Sequence, residues 1–282
     1  MEKLDRRLHA FRRDLADTRL KGRVEADRFV EGWPARVAVP IVNVHSAPST
    51  TAGMDTQLLH GEDVQVFEEA DGWSWVQADA DNYVGYVESA GLEMKTEHLT
   101  HVVCVPRSFA YPQAELKTPP LRCHSMGARL HVSAHEEKRG TRYAILADGS
   151  AMIANHLQPL EQDDGDYVAV AECFLHTPYL WGGCSGCGID CSGLVQLSMQ
   201  MAGRACPRDT DMQENHFLHE VEQAELRRGD LVFWKGHVAI MLDDERIIHA
   251  NGHTMTVAIE SLELAIERVA RLYDRPTGYR RP

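Results

Sequence analysis

One stretch, a breaker-rich loop running into an apolar periodic segment, constrains this chain more than any other: Thr177-Pro-Tyr-Leu-Trp-Gly-Gly-Cys-Ser-Gly-Cys-Gly-Ile-Asp-Cys-Ser-Gly-Leu-Val-Gln196. From Cys191 onward Leu194, Val195, Leu197 and Met201 recur at helical spacing, and Gly203 supplies a stop. Cys191 therefore falls in the first turn of a predicted helix. There the unpaired N–H groups and the positive end of the macrodipole favour a thiolate, the nucleophilic form of cysteine. A buried structural thiol is the commoner fate of a core cysteine, so the reading needs a base to go with it.

Two histidines qualify. Gly229-Asp-Leu-Val-Phe-Trp-Lys-Gly-His-Val-Ala-Ile-Met-Leu242 reads as two short apolar strands broken at Lys235-Gly236, with His237 opening the second. Arg246-Ile-Ile-His-Ala-Asn251 reads as a third strand carrying His249. A hairpin turn within residues 242–246 would set His249 nearly opposite His237, in a register that the sequence leaves open. A cysteine on a helix with base and orienter on a sheet follows the logic of a papain-like triad. His253 and Asn251 stand close enough in sequence to compete with His249 for the orienting role.

With these residues in view, Tyr179-Leu-Trp-Gly-Gly, Asp190-Cys-Ser-Gly-Leu-Val-Gln196, Pro207-Arg-Asp-Thr-Asp-Met-Gln213, Gly229-Asp-Leu-Val-Phe-Trp234, Gly236-His-Val-Ala-Ile240 and Ile248-His-Ala250 together resemble the NlpC-type, papain-like bacterial cell-wall peptidases. The motifs appear in the family's order over roughly residues 165–282, which chance produces far less readily than any single motif. The resemblance implies a hydrolase of the γ-D-glutamyl to diamino-acid bond in peptidoglycan peptides, working without metal or organic cofactor. It favours His249 as orienter of His237 and places Tyr179 beside the sulfur as an aid to the oxyanion. Asp190 and Ser192 flank the nucleophile and, with Asp209 and Thr210, where relatives carry an Asp-Ser pair, are assigned to the substrate. Glu62 and Tyr83 match positions that close the subsite for an N-terminal L-alanine in recycling enzymes of the family. A charged wall there would admit a free amine and exclude a longer, glycan-linked chain.

The length of 282 residues suggests about two domains, and 44% apolar with 25% charged residues is ordinary for a globular protein. The net charge of −13 argues against nucleic acid and anionic membranes as partners, since both are bound through clustered Lys and Arg. The charged N-terminus, Met1-Glu-Lys-Leu-Asp-Arg-Arg-Leu8, lacks the apolar run of a secretory signal. Seven cysteines, an odd number, suit a reducing compartment better than a disulfide framework. The expectation is a cytoplasmic enzyme acting on imported wall fragments.

Leu4, Leu8, Phe11 and Leu15 predict an amphipathic helix over residues 3–20. Asp5, Asp14 and Asp17 interrupt its basic face, so residues 1–34 are read as a docked helical arm and not a membrane-surface helix. Short apolar runs separated by Pro, Gly and Asp-Gly turns, among them Ile41-Val-Asn-Val44, Val64-Gln-Val-Phe67, Trp73-Ser-Trp-Val-Gln77 and Tyr83-Val-Gly-Tyr-Val87, then predict a small barrel over residues 35–98. It resembles a bacterial SH3-like module. Residues 99–160 repeat the texture loosely and are read as a second, diverged barrel. The acidic Gln162-Asp-Asp-Gly-Asp166 marks the linker, and residues 161–282 form the α+β catalytic domain, with a helix at 167–175, the Cys191 helix, a helix near 213–226 and a strand meander.

Cys184, Cys187 and Cys191 offer a rival story, because C-x2-C-x3-C spacing could present three sulfurs to zinc or an iron–sulfur cluster. A closed zinc site needs a fourth ligand, and using Cys191 as a ligand would remove the nucleophile. Two further alternatives stay open: an amidase, acyltransferase or general wall endopeptidase using the same triad, since a triad does not name a substrate, and a non-enzymatic wall-peptide-binding module. The intact Cys191, His237 and His249 argue against the second.

Overall fold

The computed structural model describes residues 4–95, 98–162 and 165–282. The predicted linker falls partly outside them, at Asp163 and Asp164, as does Lys3 of the predicted arm. The chain divides into two compact units, Met1–Leu160 and Glu161–Pro282. Among the described residues no helix is long and apolar enough to cross a membrane.

In the first unit, strands alternate apolar and polar residues, so pairing buries one face. Seven strands form one antiparallel sheet in the order Met54–Leu59, Ile41–His45, Val84–Glu88, Trp73–Ala78, Asp63–Ala70, Trp33–Val37 and Leu92–Met94. Val37, Val42, Val44, Leu58, Val64, Val66, Val76 and Val87 make the core that the sheet encloses. The strand Met54–Leu59 is one the apolar runs did not mark, because its first four residues are Met, Asp, Thr and Gln.

The predicted arm helix does not form. Residues 4–30 instead take turns, a short strand Leu15–Asp17 paired in parallel with Arg28–Val30, and a one-turn 3-10 helix. Asp5 accepts the Arg7 N–H on its side chain at 2.9 Å, and Asp17 accepts that of Arg19 at 2.9 Å; such local bonds compete with helical ones. The apolar residues find their partners elsewhere. Ala10 and Leu15 are buried against Phe67 and Trp75, while the Arg12 guanidinium lies 4.4 Å over the Trp75 ring and pairs with Glu68 at 2.5 Å. The arm is docked, by irregular chain.

Residues 98–160 supply two three-stranded sheets and a hairpin around a separate core of Val103, Ala110, Ala128, Leu130, Ala144, Leu146, Met152 and Leu157. The strand set is tied to the first at one turn. Gly61, at φ +83°, brings its backbone onto the Arg129 carbonyl, and the Arg129 N–H donates to the His60 carbonyl at 2.8 Å. A side chain at position 61 would be strained twice over, by its φ and by the collision.

Among the described residues of the second unit, four helices accompany a five-stranded antiparallel sheet. The helices are α1 (Tyr167–Cys173), α2 (Cys191–Met201), α3 (Thr210–His216) and α4 (Leu262–Ala270). The sheet runs Thr256–Ser261, Arg246–Asn251, His237–Met241, Leu231–Trp234 and Gly278–Arg280. Ala239, Met241 and Ile247 on one face pack on Leu262, Ala265 and Ile266 of α4. The helix predicted near 213–226 is shorter and earlier: α3 stops at His216, and only a 3-10 turn, Gln223–Glu225, follows. Phe217 turns to extended backbone, and Glu220 and Val221 pair with Arg280 and Tyr279 instead of continuing α3.

Candidate active site

Helix α2 starts where Asp190 makes it start. Its carboxylate accepts the Gly193 N–H at 2.7 Å, a side-chain N-cap, and leaves Cys191 as the first helical residue. The sulfur is buried, 3.9 Å from the Thr210 hydroxyl and within reach of the Val238 backbone N–H. Because Val238 is the next residue after His237, the opening of that strand is held against the nucleophile. The two-residue turn Lys235-Gly236, with Gly236 at φ +77°, pairs Trp234 with His237 and so begins the strand there.

His237 Nε2 lies 2.9 Å from His249 Nδ1. The strands pair Ile240 with Ile248 and Met241 with Ile247, so the two histidines share a face and are offset by two residues instead of standing opposite. Asn251 is committed elsewhere: its Oδ1 accepts the N–H groups of His253 and Thr254 at 3.0 and 2.9 Å, closing the turn before Thr256. Beyond His249 comes a residue the sequence reading missed. Glu260 Oε1 sits 2.8 Å from His249 Nε2 and also binds Arg268 of α4. Glu260 reads as one polar residue in an alternating strand, and only the strand register exposes its role.

The electrostatics correct one expectation. Burial, with the nearby charge of Asp190, pushes the Cys191 thiol up to about 11, although the Val238 amide and Thr210 oppose this. Burial and the neighbouring His249 push His237 down to about 3. Both shifts favour the neutral forms, a thiol and an uncharged imidazole, so desolvation works against the helix terminus here. Tyr179, half-buried, is pushed up to about 12 by burial and then by Cys191 and Asp190, and stays a neutral phenol able to donate.

Asp190 itself is not open to a substrate. Arg208, fully buried, grips it with Nη1 on Oδ1 at 3.0 Å and Nη2 on Oδ2 at 2.6 Å. The Gly182 N–H takes Oδ2 at 2.9 Å and the Ser192 hydroxyl takes Oδ1 at 3.2 Å. Ser192 also accepts from Arg208 at 2.8 Å. The substrate assignment of the Asp190 and Ser192 side chains is thus replaced by a framing role, because the buried guanidinium and the loop amides use their polar atoms. Arg208, present in the Pro207-Arg-Asp motif, was the second residue missed. Of the pair after it, Thr210 reaches the sulfur and Asp209 stands at the N-cap of α3, while Gln213 Nε2 bonds the Ser192 and Pro207 carbonyls at 2.9 Å.

The sulfurs of the C-x2-C-x3-C run take different environments. Cys184 is buried with its thiol 3.6 Å from Gln196 Oε1, and Cys187 is exposed. In the first unit, Glu62 accepts the Leu59 N–H at 2.7 Å, and burial raises its carboxyl to about 7. Tyr83 is buried, its amide bonded to Asp81 at 3.0 Å.

Gly193 shows how tight the frame is. A methyl group there would drive into the Gly183 carbonyl oxygen and crowd Asp190 Oδ1. Gly193→Ala is expected to lower the rate of Cys191 alkylation and of turnover by about 100-fold, the scale of an ångström-sized misplacement. Ala is the better helix former, so a variant with unchanged rates and raised thermal stability would show that the loop yields instead.

A thiol at a helix start, set against a histidine pair on an antiparallel sheet, defines a papain-like cysteine peptidase domain. Residues 176–269 match the NlpC/P60 family, and residues 44–92 match the bacterial dipeptidyl-peptidase SH3 domain. The chain is a cysteine peptidase that carries an NlpC/P60 domain behind an SH3-like domain. Among curated proteins it is 26% identical over 249 residues to Dipeptidyl-peptidase 6 of Lysinibacillus sphaericus, covering 81% of this chain and 92% of that one. It is 28% identical over 218 residues to Gamma-D-glutamyl-L-lysine dipeptidyl-peptidase of Bacillus subtilis (strain 168), covering 70% and 72%. A crystal structure of an NlpC/P60 family protein from Bacillus cereus ATCC 10987 shares the fold, with a TM-score of 0.73, 22% identity and coverage of 88% of this chain and 99% of that chain.

Proposed function

We propose that this peptidase hydrolyses the γ-D-glutamyl to L-diamino-acid bond of small peptidoglycan-derived peptides that carry a free N-terminal L-alanine, in the cytoplasm, as a murein-recycling step. The observation that carries the reading is the convergence of the Thr210 hydroxyl and the Val238 amide on Cys191, with His237 next to Val238 in the chain and bonded to His249. The name of the Bacillus subtilis relative supports the bond type, and that of the Lysinibacillus relative the release of a dipeptide. The odd count of seven cysteines supports a reducing compartment. The strands of residues 98–160, with their own core, support the reading of a second, diverged SH3-like barrel.

In this mechanism His237 takes the proton of the Cys191 thiol as the sulfur attacks the γ-carbonyl of D-glutamate. The oxyanion is met by the Cys191 amide, free of an intrahelical acceptor at the first helical position, and by the neutral Tyr179 hydroxyl. The imidazolium of His237 returns its proton to the leaving amine of the diamino acid. Water, deprotonated by the same histidine, then opens the thioester and releases L-Ala-γ-D-Glu. Asp209 and Thr210 serve the substrate.

Mass spectrometry of products from L-Ala-γ-D-Glu-meso-diaminopimelate, its L-lysine counterpart and their N-acetylated forms tests this. Cleavage restricted to the free-amine peptides is the expected result. Equal cleavage of acetylated peptides would overturn the amine requirement. No cleavage of any would overturn the bond assignment.

A further inference from the structure

The base of this site ends a row of three ionisable groups on three neighbouring strands. Ala258 pairs with His249 and Ile247 with Glu260, so Glu260 lies on the same sheet face as His249, displaced by two residues. His237 and His249 carry the same displacement. Diagonal neighbours about 7–8 Å apart are within reach of long side chains. The contacts are His237 Nε2 to His249 Nδ1 at 2.9 Å and His249 Nε2 to Glu260 Oε1 at 2.8 Å. Arg268 reaches in from α4 to the same Oε1.

Donors and acceptors along this row can be assigned from its far end. Burial works against ionised Glu260, but the hydrogen bond from His249 and the charge of Arg268 hold its carboxyl below the usual range. An ionised carboxylate only accepts. His249 must then carry its proton on Nε2, and in the neutral ring this leaves a lone pair on Nδ1. His237 Nε2 must donate to that lone pair. The free lone pair of His237 is therefore on Nδ1, the nitrogen not engaged by His249.

We propose that Glu260, clamped by Arg268, is a positioning residue that sets the tautomer of both histidines and so aims the basic nitrogen of His237 at Cys191. The inference rests on Cys191 and His237 being nucleophile and base; it does not depend on which peptide is cut. Glu260 touches neither sulfur nor substrate, and acts through His249. Its charge also favours the imidazolium that forms on His237 during attack, while Arg268 opposes it.

Long-range 1H–15N spectra of the full chain with labelled histidines read the tautomers directly. The expected wild-type result is both rings protonated on Nε2. Glu260→Ala should leave His249 a mixture of tautomers. It should also slow Cys191 alkylation by iodoacetamide at fixed pH and lower kcat by about 10- to 100-fold with KM nearly unchanged, the usual cost of losing such a partner. Glu260→Gln keeps an acceptor oxygen and should restore most of the tautomer preference and part of the rate. Wild-type protonation on Nδ1 of either ring would overturn the proposal, as would unchanged spectra and alkylation in Glu260→Ala. The wild-type spectra decide even if that variant fails to fold. If spectra and alkylation follow expectation while no peptide is cleaved, the substrate assignment fails and this inference stands.

Discussion

Cys191→Ala is expected to abolish cleavage of L-Ala-γ-D-Glu-diamino-acid peptides, with kcat/KM down by at least about 10⁴-fold, as when the nucleophile of a triad is removed. Every covalent step of the mechanism uses that sulfur. Product mass spectrometry and a urea titration separate the two effects that the substitution can have. Stability should fall by no more than about 1–2 kcal/mol, the range of most point variants. Residual turnover within 10-fold of wild type would remove the nucleophile assignment. The wild-type thiol should also show the raised pKa. Its alkylation rate should climb from neutral pH toward about 11, and a plateau extending below pH 6 would instead reveal a preformed thiolate–imidazolium pair.

Arg208→Met should produce the largest loss of stability. The guanidinium is fully buried and its charge balances Asp190, which also caps α2. Removing one partner of such a pair leaves an uncompensated buried charge and costs about 3–5 kcal/mol. That is a large part of what holds a domain folded. In urea the full chain should lose the transition of residues 161–282 at much lower denaturant than wild type, and alkylation of Cys191 should slow as the loop at Gly182 and Gly183 loosens. Adding Asp190→Asn should recover part of the stability, because the orphaned charge is then gone. A single variant within about 0.5 kcal/mol of wild type would show that Asp190 is balanced by other means.

The candidate nucleophile and base were legible because their signals are local. A breaker-rich loop ending in Asp190-Cys191 and followed by apolar residues at helical spacing specifies a capped helix with a cysteine in its first turn, whatever surrounds it. Likewise Lys235-Gly236 between two apolar runs specifies a hairpin, and His237 must open its second strand. The arm misled for the opposite reason. Its 4-3-4 spacing is a helical signal, yet Asp5 and Asp17 offered the backbone local bonds, and the burial that Leu15 and Ala10 needed came from Phe67 and Trp75, far along the chain.

The sequence alone determined which residues could be nucleophile, base and orienter, since helix caps, turns and strand alternation depend on near neighbours. Only the tertiary structure decided the rest. Strand register joined Glu260 to His249 and moved His249 two residues off from His237; a one-residue slip would have sent the side chain to the other face. Close packing buried Arg208 against Asp190, converting an expected substrate contact into part of the frame. Desolvation turned the expected thiolate into a thiol, because burial is a property of everything packed around an atom and no neighbouring letter of the sequence encodes it.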